Sequence, residues 1–336
     1  MSRHPRREAA PLASALVGLL VLLLAAPRVS LGATPGDALD AVVQVSARVP
    51  SDARTADSLG QHRVGSGVLI DDSGLILTIG YLILEAREIE VEGGDAEPVP
   101  ADLVAYDHES GFGLIRAIGS IGGTPVALGS AEDVLPRQPL LAVSRAGGLD
   151  AVGVYAVDRR PFAGYWEYLL EDAIFTSPPH EQFGGAALFD QDGRLIGIGR
   201  LFVNDAAGGG RPLPGNMFVP VDHLKPILAD LLADGRRRDP PRPWLGASFE
   251  EHRGRVFVTR VTPGGPAAGA GLTTNDIVLG VDGEAVEGLA DFYRHLWGRG
   301  NAGTLVGLDL LKGMAVEQIP VQSGDRYRWL KLRPDF

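Results

Sequence analysis

The sequence predicts a mainly β chain with a second, smaller module at its C-terminal end. Three observations carry this. From Ala38 to about Val221, short apolar runs are broken by Gly, Pro and Asp turns, the pattern of an all-β sandwich or barrel. Arg236–Pro243 (RRRDPPRP) is charged and proline-rich, the composition of a stiff, solvated linker. Beyond it, a fresh series of strand and turn signals begins at Trp244.

A length of 336 residues fits two or three domains of roughly 150 residues each, and 45% hydrophobic residues suffice for substantial cores. The net charge of -11 argues against nucleic acid or an anionic membrane surface as main partner, because both require clustered Lys and Arg. The absence of cysteine excludes disulfides, thiolate metal sites and a Cys nucleophile.

Taking the elements in order, Ser2–Arg7 is a basic n-region, Leu12–Ala26 an uninterrupted apolar run, and Ser30, Gly32 and Ala33 are small. Residues 1–33 therefore read as a secretory signal peptide cut near Gly32 or Ala33; counting the apolar run from Ala9 gives an uncleaved membrane anchor as the alternative. Either way the body is expected to be exported, in a bacterium to the periplasm or outer face, and no later segment is suited to cross a bilayer.

Val64–Ile70 and Leu75–Thr78 are strands joined by the Asp71–Gly74 turn, with further strands at Ile89–Glu92, Asp102–Tyr106, Gly113–Ala117, Leu140–Val143, Val152–Val157 and Arg194–Phe202. Asp222 is placed to cap a helix over His223–Ala233, with Pro226 in its first turn and Gly235 ending it. Four polar clusters take ordinary readings: His180 and Glu181 a surface loop, Asp107-His108-Glu109 a polar turn rather than a metal site, Asp190–Gly193 a hairpin turn, and Gly208–Gly210 a flexible loop. No cofactor or metal is expected.

Several motifs fall in a familiar order: Gly65-Ser66-Gly67-Val68, Gly74-Leu75-Ile76-Leu77-Thr78, the region of Asp107, and His180–Leu188 with Gly184-Gly185 before a hairpin ending Ile196-Gly197-Ile198. In this order they resemble the HtrA/Deg family of trypsin-like serine proteases. Pro263–Val286 resembles the PDZ domain of the same family, in Pro266-Ala267-Ala268, Gly271-Leu272, Asp276-Ile277 and Asp282-Gly283. The resemblance implies a trypsin-like double β-barrel over 34–235, a linker over 236–243, a PDZ domain (α+β) over 244–323 and a tail over 324–336.

The resemblance also places the general base at Tyr81, the orienting acid at Gly111 and the nucleophile at Phe183, so that all three roles are vacant. After Ser177 there is no Ser before Ser248 and no Thr before Thr259, and no His lies between His62 and His108. Tyrosine, with a reference pKa of about 10, is a poor proton acceptor at neutral pH, phenylalanine has no nucleophilic atom and glycine orients nothing. Glu181, two residues before Phe183, would also oppose a developing oxyanion.

A PDZ domain binds an extended peptide as an added strand and receives its terminal carboxylate on backbone amides. The resemblance implies a carboxylate loop at Trp244-Leu245-Gly246-Ala247, a strand offering Ala247, Ser248 and Phe249, and an apolar pocket from Phe292, His295 and Leu296 on a helix over Leu289–Trp297. Strands at Thr304–Leu311 and Val316–Val321 close the sheet. The expected function is an exported, HtrA-like pseudoprotease that binds protein C-termini or unfolded peptide segments as scaffold, adaptor or regulator, alone or assembled with itself or an active relative. The alternatives are an active serine endopeptidase with a nonstandard site and a structural subunit of an envelope complex. The chain's own end, Arg333-Pro334-Asp335-Phe336, is a candidate ligand for a neighbouring subunit.

Overall fold

The computed structural model describes Met1, residues 35–94 and residues 96–330. The expected leader and the Arg333–Phe336 tail lie outside the described residues.

Six antiparallel strands form a closed barrel in the order β1-β2-β3-β6-β5-β4. They are β1 (Val42–Arg48), β2 (His62–Leu69), β3 (Leu75–Ile79), β4 (Glu88–Gly93), β5 (Val99–Tyr106) and β6 (Phe112–Ala117). A second closed barrel follows in the order β10-β11-β12-β9-β8-β7. Its strands are β7 (Pro139–Ser144), β8 (Asp150–Gly164), β9 (Tyr168–Ser177), β10 (Ala187–Phe189), β11 (Leu195–Val203) and β12 (Gly215–Pro220). Closure leaves no strand edge exposed to pair with another chain. One apolar cluster runs through both barrels, from Val45, Ile76 and Leu114 to Phe175, Ile198 and Val219.

The C-terminal module is a sheet in the order β13-β14-β15-β17-β18, with β16 paired to β15. Its strands are β13 (Ala247–His252), β14 (Arg255–Val261), β15 (Ile277–Val281), β16 (Glu284–Ala285), β17 (Leu305–Lys312) and β18 (Ala315–Gln322). The helix Leu289–Gly298 buries Leu289, Phe292, Tyr293 and Leu296, one face at the helical spacing of three and four. Phe292 meets Phe249 of β13 at 4.8 Å between ring centroids. The architecture is the mainly β fold, double barrel then α+β module, that the sequence predicts.

Four expectations are corrected. The helix predicted over His223–Ala233 is broken into a short turn, Val221–His223, and a helix Leu228–Asp234. Pro226 between them lacks an N–H and interrupts the ladder. Asp222 does not cap that helix; its carboxylate accepts from Ser130 Oγ at 2.9 Å and Ala131 N at 2.7 Å. The arginine-rich connection is not merely solvated: Arg237 donates to Asp107 at 2.9 Å through both Nε and Nη2, and to Glu109 at 3.0 Å. The strand expected at Val152–Val157 runs on to Gly164, and its partner β9 had no predicted counterpart. Together they form a long hairpin whose tip, Tyr165–Glu167, reaches the C-terminal module. Among the described residues no helix is long and apolar enough to cross a membrane.

Candidate functional site

Two places concentrate the chemistry: the cleft between the barrels and the groove between β13 and the helix Leu289–Gly298. The cleft is bounded by the loop Phe183–Ala186. Ser66 N donates to Gly184 O at 2.8 Å, and Gly185 N donates to Gly199 O at 2.9 Å, which ties the loop to both barrels. Gly185 has φ +75°, and a Cβ there would collide with the Ser66 carbonyl, so position 185 admits only glycine.

Tyr81 lies in the short helix Gly80–Ile83 after β3 and donates to Arg200 O at 3.3 Å. Its hydroxyl stands 2.8 Å from the place of a Cβ on Gly184. Burial pushes that hydroxyl up to about 12, against the opposing Arg200 charge, so it stays protonated. Gly111 has φ +81°, its carbonyl accepts from Gly80 N at 2.8 Å, and a Cβ on it would overlap the Arg200 guanidinium. Tyr81, Gly111 and the Phe183–Gly184 peptide thus converge around Arg200. Its side chain is buried, with Nε and Nη1 unpartnered among the described residues. Phe183 itself is half-buried and carries no atom able to attack a carbonyl.

His180 differs from expectation: it is 1% exposed rather than on a surface loop. Its backbone N–H donates to Asn216 Oδ1 at 2.6 Å, and its Nδ1 accepts from Gln182 N at 3.1 Å, so the ring organises the loop before Phe183. His108 is also buried, edge-on between Tyr106 at 4.5 Å and Tyr327 at 4.2 Å, and burial with the Arg326 charge holds its pKa well below the usual range.

The second place is built by the tip of the β8–β9 hairpin. Leu245 N donates to one Glu167 carboxylate oxygen at 2.8 Å; Gly246 N at 2.7 Å and Ala247 N at 3.1 Å donate to the other. Phe249 N donates to Tyr165 O at 2.9 Å. From the opposite wall, Tyr293 Oη donates to Gly164 O at 2.8 Å and accepts from Glu167 N at 3.2 Å. Leu169 is buried in the same apolar cluster as Leu245, Phe292 and Leu296. Burial pushes the Glu167 carboxyl up to about 7, while the three amides and the Arg326 charge pull it down.

Of the residues expected to bind peptide, Leu245, Gly246, Ala247 and Phe249 meet the hairpin. Trp244 packs on Trp329 at 5.1 Å, and the Ser248 carbonyl accepts from Thr259 Oγ1 at 3.3 Å. Phe292 and Leu296 are fully buried in the module's core. His295 sits beside Glu284 and Asp291, 3.5 and 3.4 Å away. Sequence reasoning missed Glu167, Tyr293 and Arg200. A carboxylate set among aromatics, Tyr165-Trp166-Glu167-Tyr168, was the available signal for the first.

A family model for the trypsin-like peptidase domain matches residues 65–198, and one for the PDZ domain matches residues 243–322. The fold and these matches define a trypsin-like double barrel followed by a PDZ domain. This domain pair is what the chain shares with the HtrA- and DegP-type serine proteases to which it is similar. The chain is 26% identical over 306 residues to a probable periplasmic serine endoprotease DegP-like of Pseudomonas fulva, covering 82% of this chain and 61% of the relative. It is 28% identical to the serine protease PepD of Mycobacterium tuberculosis, covering 72% and 57%. It thus spans about three fifths of the length of these curated relatives. Among solved structures, the serine endoprotease from Yersinia pestis superposes with a TM-score of 0.53 at 22% identity, covering 87% of this chain and 98% of that one. The HtrA-type protease AlgW with tripeptide gives 0.52 at 20%, covering 90% and 99%. These two likenesses speak to the fold.

Proposed function

We propose that this chain is an exported, HtrA-like pseudoprotease. In this reading residues 34–235 form a degenerate protease domain, 236–243 the connection, and 244–323 a PDZ domain that binds protein C-termini or unfolded segments, followed by the tail 324–336. It serves as scaffold, adaptor or regulator in envelope protein quality control, alone or assembled with an active relative. The observation that carries the reading is the residue set at the cleft. Phe183, Tyr81 and Gly111 provide no nucleophile, base or carboxylate, and Arg200 occupies the space a side chain at 111 would need. Loss of a whole triad costs on the order of 10⁶ in turnover in a well-studied serine protease. The names of the DegP-like relatives support a periplasmic location, and the AlgW structures with tripeptide and decapeptide support peptide binding by analogy.

Casein digestion with and without a serine-directed fluorophosphonate tests the catalytic half. Neither turnover nor labelling is expected, and either one would favour an active endopeptidase instead. Calorimetric titration of the chain with C-terminal peptides tests the binding half, and a complete lack of affinity would favour a purely structural subunit.

A further inference from the structure

The chain enters and leaves the C-terminal module at one point. Trp244 N donates to Gly324 O at 3.1 Å and Gly324 N to Trp244 O at 2.8 Å, so the two ends of the module are bonded to each other. The entering segment is caught by the β5–β6 loop of the first barrel. Asp107 and Glu109 there accept from Arg237, and Glu109 also pairs with Arg242 at 2.7 Å.

The leaving segment returns to the same loop. Its short helix, Arg326–Trp329, is capped by Asp325, whose carboxylate accepts from Tyr327 N at 2.8 Å. Tyr327 Oη accepts from His108 N at 3.2 Å and lies 3.5 Å from Asp107 Oδ1, and the Tyr327 and His108 rings meet at 4.2 Å. Two residues on there is a second anchor. Arg54 Nε donates to Trp329 O at 2.8 Å, and the Arg54 guanidinium covers the Trp329 ring at 3.7 Å. The receiving loop is itself held, since the Glu85 carboxylate accepts from Arg54 N at 3.2 Å and Thr55 N at 2.8 Å. None of this is needed to finish the module's own sheet: Ser323, the residue before Gly324, already locks β18 by donating through N and Oγ to Thr304 O at 3.0 and 2.7 Å.

We propose that Gly324–Trp329 is a clasp. With the arginine-rich connection it forms two linked grips on the first barrel, and severing the chain after Ser323 switches the C-terminal module from one fixed position to a mobile one. While either grip holds, the other re-forms at high effective concentration, so losing one raises the open fraction far more than its contacts alone would suggest. This goes beyond the peptide-binding reading and does not depend on it.

The chain has no cysteine, so nitroxide labels can be placed uniquely at Asp72→Cys on the first barrel and Met314→Cys on the module, both exposed. Electron–electron double resonance, without peptide, compares the full chain with a chain ending at Ser323. The full chain is expected to give one narrow distance distribution and the shortened chain a broader, shifted one. In parallel, trypsin should cut the connection at Arg236–Arg238 about tenfold or more faster in the shortened chain, because cleavage of a folded protein follows its open fraction. Either readout unchanged in the folded, shortened chain would overturn the clasp while leaving peptide binding standing. Should that chain fail to fold, the full-length double variant Arg54→Ala, Trp329→Ala takes its place, with the same two expected changes and the same overturning result.

Discussion

The Arg200 guanidinium lies 4.0 Å from the centre of the Tyr168 ring and takes the volume beside the Gly111 Cα. A basic residue from β11 and an aromatic from the hairpin thus fill the space beside Gly111.

Placing a Ser, a His and an Asp at the three positions is therefore expected not to create a nucleophile. In the triple variant Tyr81→His, Gly111→Asp, Phe183→Ser, fluorophosphonate labelling should stay at background. Gly111→Asp alone should destabilise by roughly 1–3 kcal/mol, since it forces a side chain into a left-handed conformation and against Arg200. Adding Arg200→Ala should recover part of that loss in a thermal melt.

Arg200 itself is expected to be replaceable. A buried charge with two unpartnered nitrogens contributes little beyond its stacking, and apolar residues of similar volume often serve equally well. Arg200→Met should change stability by no more than about 1 kcal/mol, the cation–π loss offsetting the relief of desolvation. Chemical denaturation measures this; a loss well above that size would show the guanidinium to be an essential support.

Asp107 should behave oppositely. Its side chain is fully buried and accepts from Arg237 twice and from Ser110 Oγ at 2.5 Å. Burial alone would raise its pKa, but these partners hold it below the usual carboxylate range. A depressed folded pKa stabilises above the unfolded value of 3.8 and ceases to do so as pH falls through the folded one. Asp107→Ala, which removes two of the carboxylate bonds of Arg237 and leaves it Glu109, should cost about 3 kcal/mol at neutral pH. Melts repeated below the ordinary carboxylate range should show a shrinking difference between variant and wild type.

Glu167 predicts a slope of the other sign in a different window. Its docked pKa of about 7 exceeds the ordinary 4.5, so docking is fully favoured below about 4.5 and weakens as pH rises towards 7. The stability of the wild type relative to Glu167→Gln should therefore fall between pH 5 and pH 7.5 in thermal melts. Facing the carboxyl are Tyr293 and Arg326, with His108, Glu109, Arg237 and Arg242 lining the same small pocket. Tyr293, pushed up by burial, and Arg237, raised by its carboxylate partners, keep their protons through this window, and burial keeps His108 neutral. Glu109 is also raised by burial, so Glu167→Gln is the control that isolates the slope.

Much of the fold was legible because its signals are local. Short apolar runs broken by Gly, Pro and Asp turns announced an all-β body, and the strand expected over Leu75–Thr78 stands within β3. What escaped depended on distance. Composition cannot tell that Arg237 meets Asp107, 130 residues away, while Arg238 remains exposed. The Trp166–Tyr168 region gave no clear strand signal, and the stacking of its aromatics on Arg200 is set by the fold and not by local pattern. The loop Trp244–Ala247 stood out by its motif, but its contact with Glu167 did not, since nothing around Glu167 encodes which amides it will meet.

Leu169 and the half-buried Ala163 pack into the interior of the C-terminal module although neither belongs to residues 244–323. That interior is consequently not self-sufficient. Cut free of the barrels, the module would keep its sheet and helix but carry an unfilled hollow, at a cost of about 2 kcal/mol or more if it did not collapse. The boundary between the two halves is thus a matter of sequence order, and the hydrophobic interior does not respect it.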